Sequence, residues 1–80
     1  MNVTVRLFAS YAEKLGEKEL VIELADGATV RHAIAELASL PGAAALPPAP
    51  LVAVNCEYAR YDLSLNQGDE VALIPPVAGG

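Results

Sequence analysis

The sequence closes on Leu73-Ile74-Pro75-Pro76-Val77-Ala78-Gly79-Gly80, and its clearest chemistry lies there. Proline fixes its own φ and pushes the residue before it into extended geometry. Ile74, Pro75 and Pro76 should therefore leave the body of the protein as a stiff extended rod. Neither proline donates a backbone hydrogen bond, so the segment does not fold back as a further full strand. Fully extended, Pro75 to Gly80 reaches on the order of 20 Å, enough to carry a bare carboxylate down a narrow channel in another protein. Backbone amides lining such a channel can grip a C-terminus. A carboxylate is a poor acyl donor. It must first be activated, usually with ATP to an acyl-adenylate, before a nucleophile attacks it, and glycine hinders that attack least. Gly80 is the candidate reactive residue, with Pro75, Pro76, Val77, Ala78 and Gly79 as the arm that presents it. A glycine pair alone says little, because glycine is common at frayed ends. A glycine pair on a proline rod says more.

The rest of the chain must hold that arm. Eighty residues make one small domain, read as a body over residues 1–75 and a tail over 76–80. A domain of this size buries only roughly 60% of its unfolded surface. Hydrophobic residues at 54% suffice for a core without disulfides, and the single cysteine, Cys56, fits a reducing cytoplasm. No signal peptide and no membrane-spanning stretch is read. The net charge is −5 and the five basic residues are scattered, which argues against nucleic-acid binding and for a basic protein partner.

Asn2 to Phe8 alternates, with Val3, Val5 and Leu7 on one face and Thr4, Arg6 and Phe8 on the other, as in a half-buried strand. A short helix should follow, with Ser10 and Glu13 in capping-box spacing and Gly16 closing it. Leu20, Ile22 and Leu24 alternate with Glu19, Val21 and Glu23 in a second strand, which ends at an Asp26-Gly27 turn. Val30, Ala33, Ile34, Leu37 and Ala38 form one apolar stripe on a longer helix capped by Thr29. Leu40 to Pro50, with four prolines and a glycine, reads as a semi-rigid surface connection. A hairpin turning at Asn55-Cys56 follows, then a turn around Gly68, then a last strand stopped by Pro75. This order, with one main helix against a mixed sheet of four or five strands, is an α+β roll that suits the ubiquitin-like β-grasp.

"LFASYAEKLG" near the start and "VNCEYARYDLSLNQGDEVALIPPVAGG" at the end resemble the small-subunit family of molybdopterin synthase. The segment Gly68 to Gly80 is the most specific part. The resemblance implies a β-grasp sulfur carrier. Its terminal glycine, here Gly80, would be adenylated by an enzyme related to the ubiquitin-activating enzymes. Sulfur from a persulfide donor protein would then give a thiocarboxylate. The large synthase subunit would admit the tail, and the sulfur would pass to cyclic pyranopterin monophosphate to build the dithiolene of molybdopterin. ATP serves the partner enzyme, and the domain itself binds no cofactor. A heterotetramer of two small and two large subunits is the expected assembly. The chain departs from the family at Asn55-Cys56, where many relatives have Asn-Gly. Cysteine disfavours positive φ, so a wider turn is expected there.

The remaining candidates are weaker. Cys56, without a neighbouring histidine in sequence, reads as incidental. His32 reads as a solvated residue beside Glu36, and Asp69-Glu70 as too divergent to hold a metal. Tyr58 and Tyr61 read as sheet residues with partly exposed rings. Strand alternation turns Phe8, Val21 and Ile74 away from the helix, and Phe8 and Ile74 are the candidate partner-binding residues beside the tail root. Three rival functions stay open: a carrier for thiamine or tRNA thiolation, a ubiquitin-like protein modifier, and a plain interaction domain.

Overall fold

The computed structural model describes residues 1–76, the side chain of Ala45 excepted. Strand β1 (Asn2–Leu7) runs into helix α1 (Ala9–Leu15), then β2 (Glu19–Glu23) and helix α2 (Val30–Ala38). A 3₁₀ turn (Ala43–Ala45) precedes β3 (Leu51–Val54), β4 (Glu57–Tyr58) and β5 (Glu70–Ile74). The five strands form one sheet in the order β2-β1-β5-β3-β4. β1 and β5 are parallel, and the other pairings are antiparallel. This is the mixed α+β sheet of a ubiquitin-like β-grasp, with β5 as its middle strand.

The strand alternation has the expected sides. Val3, Val5 and Leu7 of β1, Ile22 of β2, Val52 and Val54 of β3, and Val71 and Leu73 of β5 are all buried. They meet Val30, Ala33 and Leu37 on α2, which packs across one sheet face. Ile34 is only partly buried and Ala38 is exposed, so the helix stripe is narrower than its periodicity suggested.

Local chemistry corrects the reading at several points. Helix α1 begins at Ala9 with Phe8 as its N-cap, so Ser10 lies inside the helix and caps nothing. The chain turns from strand to helix within one residue, and Ala9 takes the strain at φ +46°. Gly16 closes α1 in the left-handed region as expected. Helix α2 is capped at Thr29, and His32 is not merely solvated: its Nδ1 accepts the Thr29 N–H at 2.9 Å. The connection from Leu40 to Pro50 is more structured than a surface strap, since its 3₁₀ turn buries Ala43 and its last residue, Pro50, is also buried. Tyr61 is not a sheet residue. Its hydroxyl donates to the Pro50 carbonyl and ties the loop before β3 to the loop after β4. Burial of the ring, with Tyr11 nearby, raises the Tyr61 pKa above its ordinary value, against a lowering contribution from Arg31.

The hairpin turn is tight, not wide. Val54 pairs with Glu57 across two residues, with Asn55 at φ +50° and Cys56 at φ +72°. Asn55 is held from three directions. Its N–H donates to the Glu70 carbonyl at 2.8 Å. Its side-chain amide donates to Asp69 Oδ1 and its side-chain oxygen accepts the Glu70 N–H, both at 3.0 Å. With Asn55 fixed in the left-handed region, closing a two-residue loop carries Cys56 there as well.

Gly42 shows how closely the pieces fit. Its φ is +87°, and a Cβ there would lie 2.6 Å from the Lys14 carbonyl oxygen of α1. Gly27 has a similar φ of +83° but open space around it. Gly27→Ala should cost only the backbone strain, about 1 kcal/mol. Gly42→Ala should cost about 2–4 kcal/mol, because α1 must also move. Urea midpoints of the two variants check this, and equal losses would mean that the contact to α1 is easily relieved.

Candidate functional site: the tail root and the open face of the sheet

Because β1 and β5 are parallel, both end at the same edge of the molecule. Leu7 pairs with Leu73, and on the other side Ile74 pairs with Leu51. Phe8 therefore sits next to the point where the chain leaves the sheet. Pro75 is half-buried there and Pro76 is exposed. Val77, Ala78, Gly79 and Gly80 lie outside the described residues.

The sheet face opposite α2 is open. Phe8 and Ile74 do lie on it, as alternation required, with Phe8 44% exposed and Ile74 half-buried. They line a shallow depression of ≈ 300 Å³ together with Ala53, Ala72, Tyr58, Cys56 and Glu70. Leu51, 52% exposed, extends the apolar surface beside Ile74. Small residues at Ala53 and Ala72, paired across β3 and β5, make the floor. Tyr58, at 74% exposure, forms a wall on β4 opposite Ala53.

Sequence reasoning found Phe8 and Ile74 but missed Leu51, Ala53, Tyr58 and Cys56 as their neighbours. Leu51 to Val54 is apolar throughout and shows no alternation, so its outward side cannot be read from pattern. The missing information is the pairing of β3 with β5, a contact between distant parts of the chain. Val21 is on the same sheet face but two strands away from Ile74, so it does not join this depression.

Charge on this face is arranged around Arg6. Its guanidinium lies 3.4 Å from Glu70 and 3.8 Å from Glu19, linking β5, β1 and β2. These exposed pairs contribute little stability each. They leave the depression apolar at the tail root and acidic at its far end, where Glu70 lies.

Among the described residues no group of three His, Cys, Asp or Glu is placed to hold a metal ion. Buried side-chain nitrogens and oxygens among them all have hydrogen-bond partners. Cys56 is exposed in its turn. Among the described residues, the body presents an apolar depression beside the point where β5 ends.

A surface residue and a core residue at this edge should behave oppositely. Leu73→Ala removes a fully buried side chain and should cost about 2–5 kcal/mol. Phe8→Ala should cost under about 1 kcal/mol. Melting curves of the two variants check the assignment of the faces, and the reverse order would put Phe8 in the core.

The ThiS family profile matches residues 5–80. The molybdopterin synthase sulfur carrier subunit of Chlamydomonas reinhardtii is 37% identical over 83 aligned positions, which span 100% of both chains. Among solved structures, H. volcanii small archaeal modifier protein 1 superposes with a TM-score of 0.83 at 29% identity, over 95% of this chain and 98% of that one. The complex of subunits 1 and 2 of molybdopterin-converting factor from Helicobacter pylori contains a chain that matches over 100% of both lengths, with a TM-score of 0.76 and 26% identity. Among the described residues of this chain, no helix is long and apolar enough to cross a membrane. Shared fold and near-complete sequence coverage lead to one conclusion: the chain belongs to the ThiS family.

Proposed function

We propose that this chain is the sulfur-carrier subunit of a molybdopterin synthase, with the Gly80 carboxylate as the group that carries sulfur. The observation that carries this reading is the full-length similarity to a molybdopterin synthase sulfur carrier subunit. The tail root beside an open apolar face supports it, because such a body can dock while the arm enters a partner's channel. An adenylyltransferase of the ubiquitin-activating type would join Gly80 to AMP and release pyrophosphate. The outer sulfur of a persulfide would attack the acyl carbon and expel AMP. A thiol would then cleave the resulting acyl disulfide, leaving a thiocarboxylate on Gly80 and a disulfide on the donor side. A thioacid is far more acidic than an ordinary thiol, so it is an ionised sulfur nucleophile at neutral pH without a helping base. The same reasoning applies to reactive cysteines, in which the thiolate attacks. This chain then needs no acid–base residues of its own, and the large subunit supplies them when sulfur passes to cyclic pyranopterin monophosphate. ATP is consumed by the activating enzyme and is not a ligand of this domain. The working assembly is two small and two large subunits in the cytoplasm, without nucleic acid or membrane.

The similarity to H. volcanii small archaeal modifier protein 1 favours a second reading, in which Gly80 ends in an isopeptide bond to a lysine. Both readings share the adenylate and differ in what attacks it.

Incubation with ATP, a cognate activating enzyme and a sulfur donor should exchange one oxygen of Gly80 for sulfur. The intact mass then rises by the difference between those atoms, and deletion of Gly80 abolishes the rise. A rise that survives the deletion places the sulfur elsewhere. Replacing Pro75 and Pro76 together by alanine should slow transfer while leaving the melting temperature nearly unchanged, because more tail conformers miss the channel.

Docking has its own test. Phe8→Ala should weaken binding to the large subunit by about 1–3 kcal/mol in calorimetric titration, as an apolar anchor does. Association should slow as salt rises, because an acidic carrier is steered to a basic partner. Unchanged affinity would move the interface off this face.

A further inference from the structure

We propose that the free edge of β2 is a second docking site, which takes an extended, basic segment of a partner protein as an added strand. Among the described residues β2 ends the sheet, with no strand beyond it. Its ladder with β1 fixes which backbone groups are engaged. Leu7 N–H donates to the Lys18 carbonyl and Leu24 N–H to the Met1 carbonyl, both at 2.8 Å. In an antiparallel pair such bonded positions recur every second residue, so Leu20 and Ile22 also face β1. The N–H and C=O groups of Glu19, Val21 and Glu23 therefore point outward, and none takes a hydrogen bond among the described residues.

Beside this edge runs a mainly apolar groove of ≈ 380 Å³, lined by Leu15, Leu20, Val21, Ile22, Leu40 and Pro41, with Glu17 as its one charged residue. Val21 is 63% exposed, the most exposed of the aliphatic side chains in the sheet. An added strand would place alternate side chains into the groove and the others on the outer face, beside Glu19, Val21 and Glu23.

Charge selects the occupant. Glu17, Glu19 and Glu23 carry three carboxylates against the one ammonium of Lys18, and Glu19 shares Arg6 at 3.8 Å. A second copy of this chain does not fit. Antiparallel self-pairing centred on Val21 would set Glu19 of each copy opposite Glu23 of the other, and like charges directly opposed destabilise a sheet. The same two glutamates favour a strand with Lys or Arg at those positions and apolar residues between. This site lies at the opposite side of the sheet from β3 and β4 and uses no activated carboxylate, so it goes beyond the sulfur-carrier reading.

The test titrates the isotope-labelled full chain with the capped peptide Lys-Leu-Val-Leu-Lys and, as control, Glu-Leu-Val-Leu-Glu. The basic peptide should bind at least about tenfold more tightly at low salt. It should shift and protect the amides of Glu19, Val21 and Glu23. The double variant Glu19→Lys with Glu23→Lys should reverse the preference between the peptides. Val21→Pro removes an outward N–H without touching the β1 ladder, and it should abolish protection. If that variant fails to fold, the charge reversal decides alone. Equal binding of the two peptides, shifts confined to Phe8 and Ile74, or dimerisation of the chain through β2 would each overturn the proposal. None of these outcomes bears on sulfur at Gly80.

Discussion

The parallel pairing of β1 with β5 is the constraint on which the rest of the structure depends. A parallel pair cannot be closed by a hairpin, so everything between Leu7 and Glu70 is the crossover that returns the chain to run alongside its own start. That crossover carries α2 over one face of the sheet and buries Val5, Val71 and Leu73 beneath it. It also puts β5 in the middle, flanked by β1 and β3, so that the last strand is held on both edges. An arm that leaves from such a strand starts from a fixed point and a fixed direction. Pro75 and Pro76 follow it, with φ angles set by covalent geometry.

The same pairing makes the open face. With α2 on one side, the alternate residues of β1, β5 and β3 have no element above them among the described residues, and Phe8, Ile74 and Leu51 lie together at the end where β5 stops. The surface and the arm are thus one device in structural terms. In the proposed function the surface brings a partner to the root, and stiffness of the root limits where the arm can go. The face around the root offers a shallow depression, and among the described residues no group of three His, Cys, Asp or Glu is placed to hold a metal ion. In the proposed function labour is divided: the small carrier offers shape and a terminus, and the partner supplies the enclosed site.

How much of this was legible in the sequence depends on whether the information was local. Val3, Val5 and Leu7 announce their face by period two, and Val30, Ala33 and Leu37 theirs by helical spacing. The φ of Pro75 and Pro76 needs no tertiary knowledge, because the ring sets it. Contacts between distant residues were invisible. Ser10 looked like a cap because its spacing to Glu13 is right, yet the turn after Leu7 begins the helix two residues sooner, with Phe8 as its N-cap. Cys56 was expected to open its turn, but Asp69 and Glu70, far along the chain, hold Asn55 and force the tight form. His32 looked like a surface residue and accepts the Thr29 N–H, an end-of-helix role that glutamate more often fills. Leu51 and Ala53 gave no sign of their outward side until their register with β5 was known.

The central claim is that the end of the arm is a sulfur donor, and the most direct measurement is made on protein isolated from its own cells without added enzymes. Tandem mass spectrometry of the C-terminal peptide reads the chemical form of Gly80. The account predicts a fraction bearing sulfur in place of one carboxylate oxygen, which disappears when the isolated chain is mixed with the large subunit and cyclic pyranopterin monophosphate. Gly80 found only as a free carboxylate or as an isopeptide on lysines of other proteins, with no thiocarboxylate under any growth condition, would contradict it.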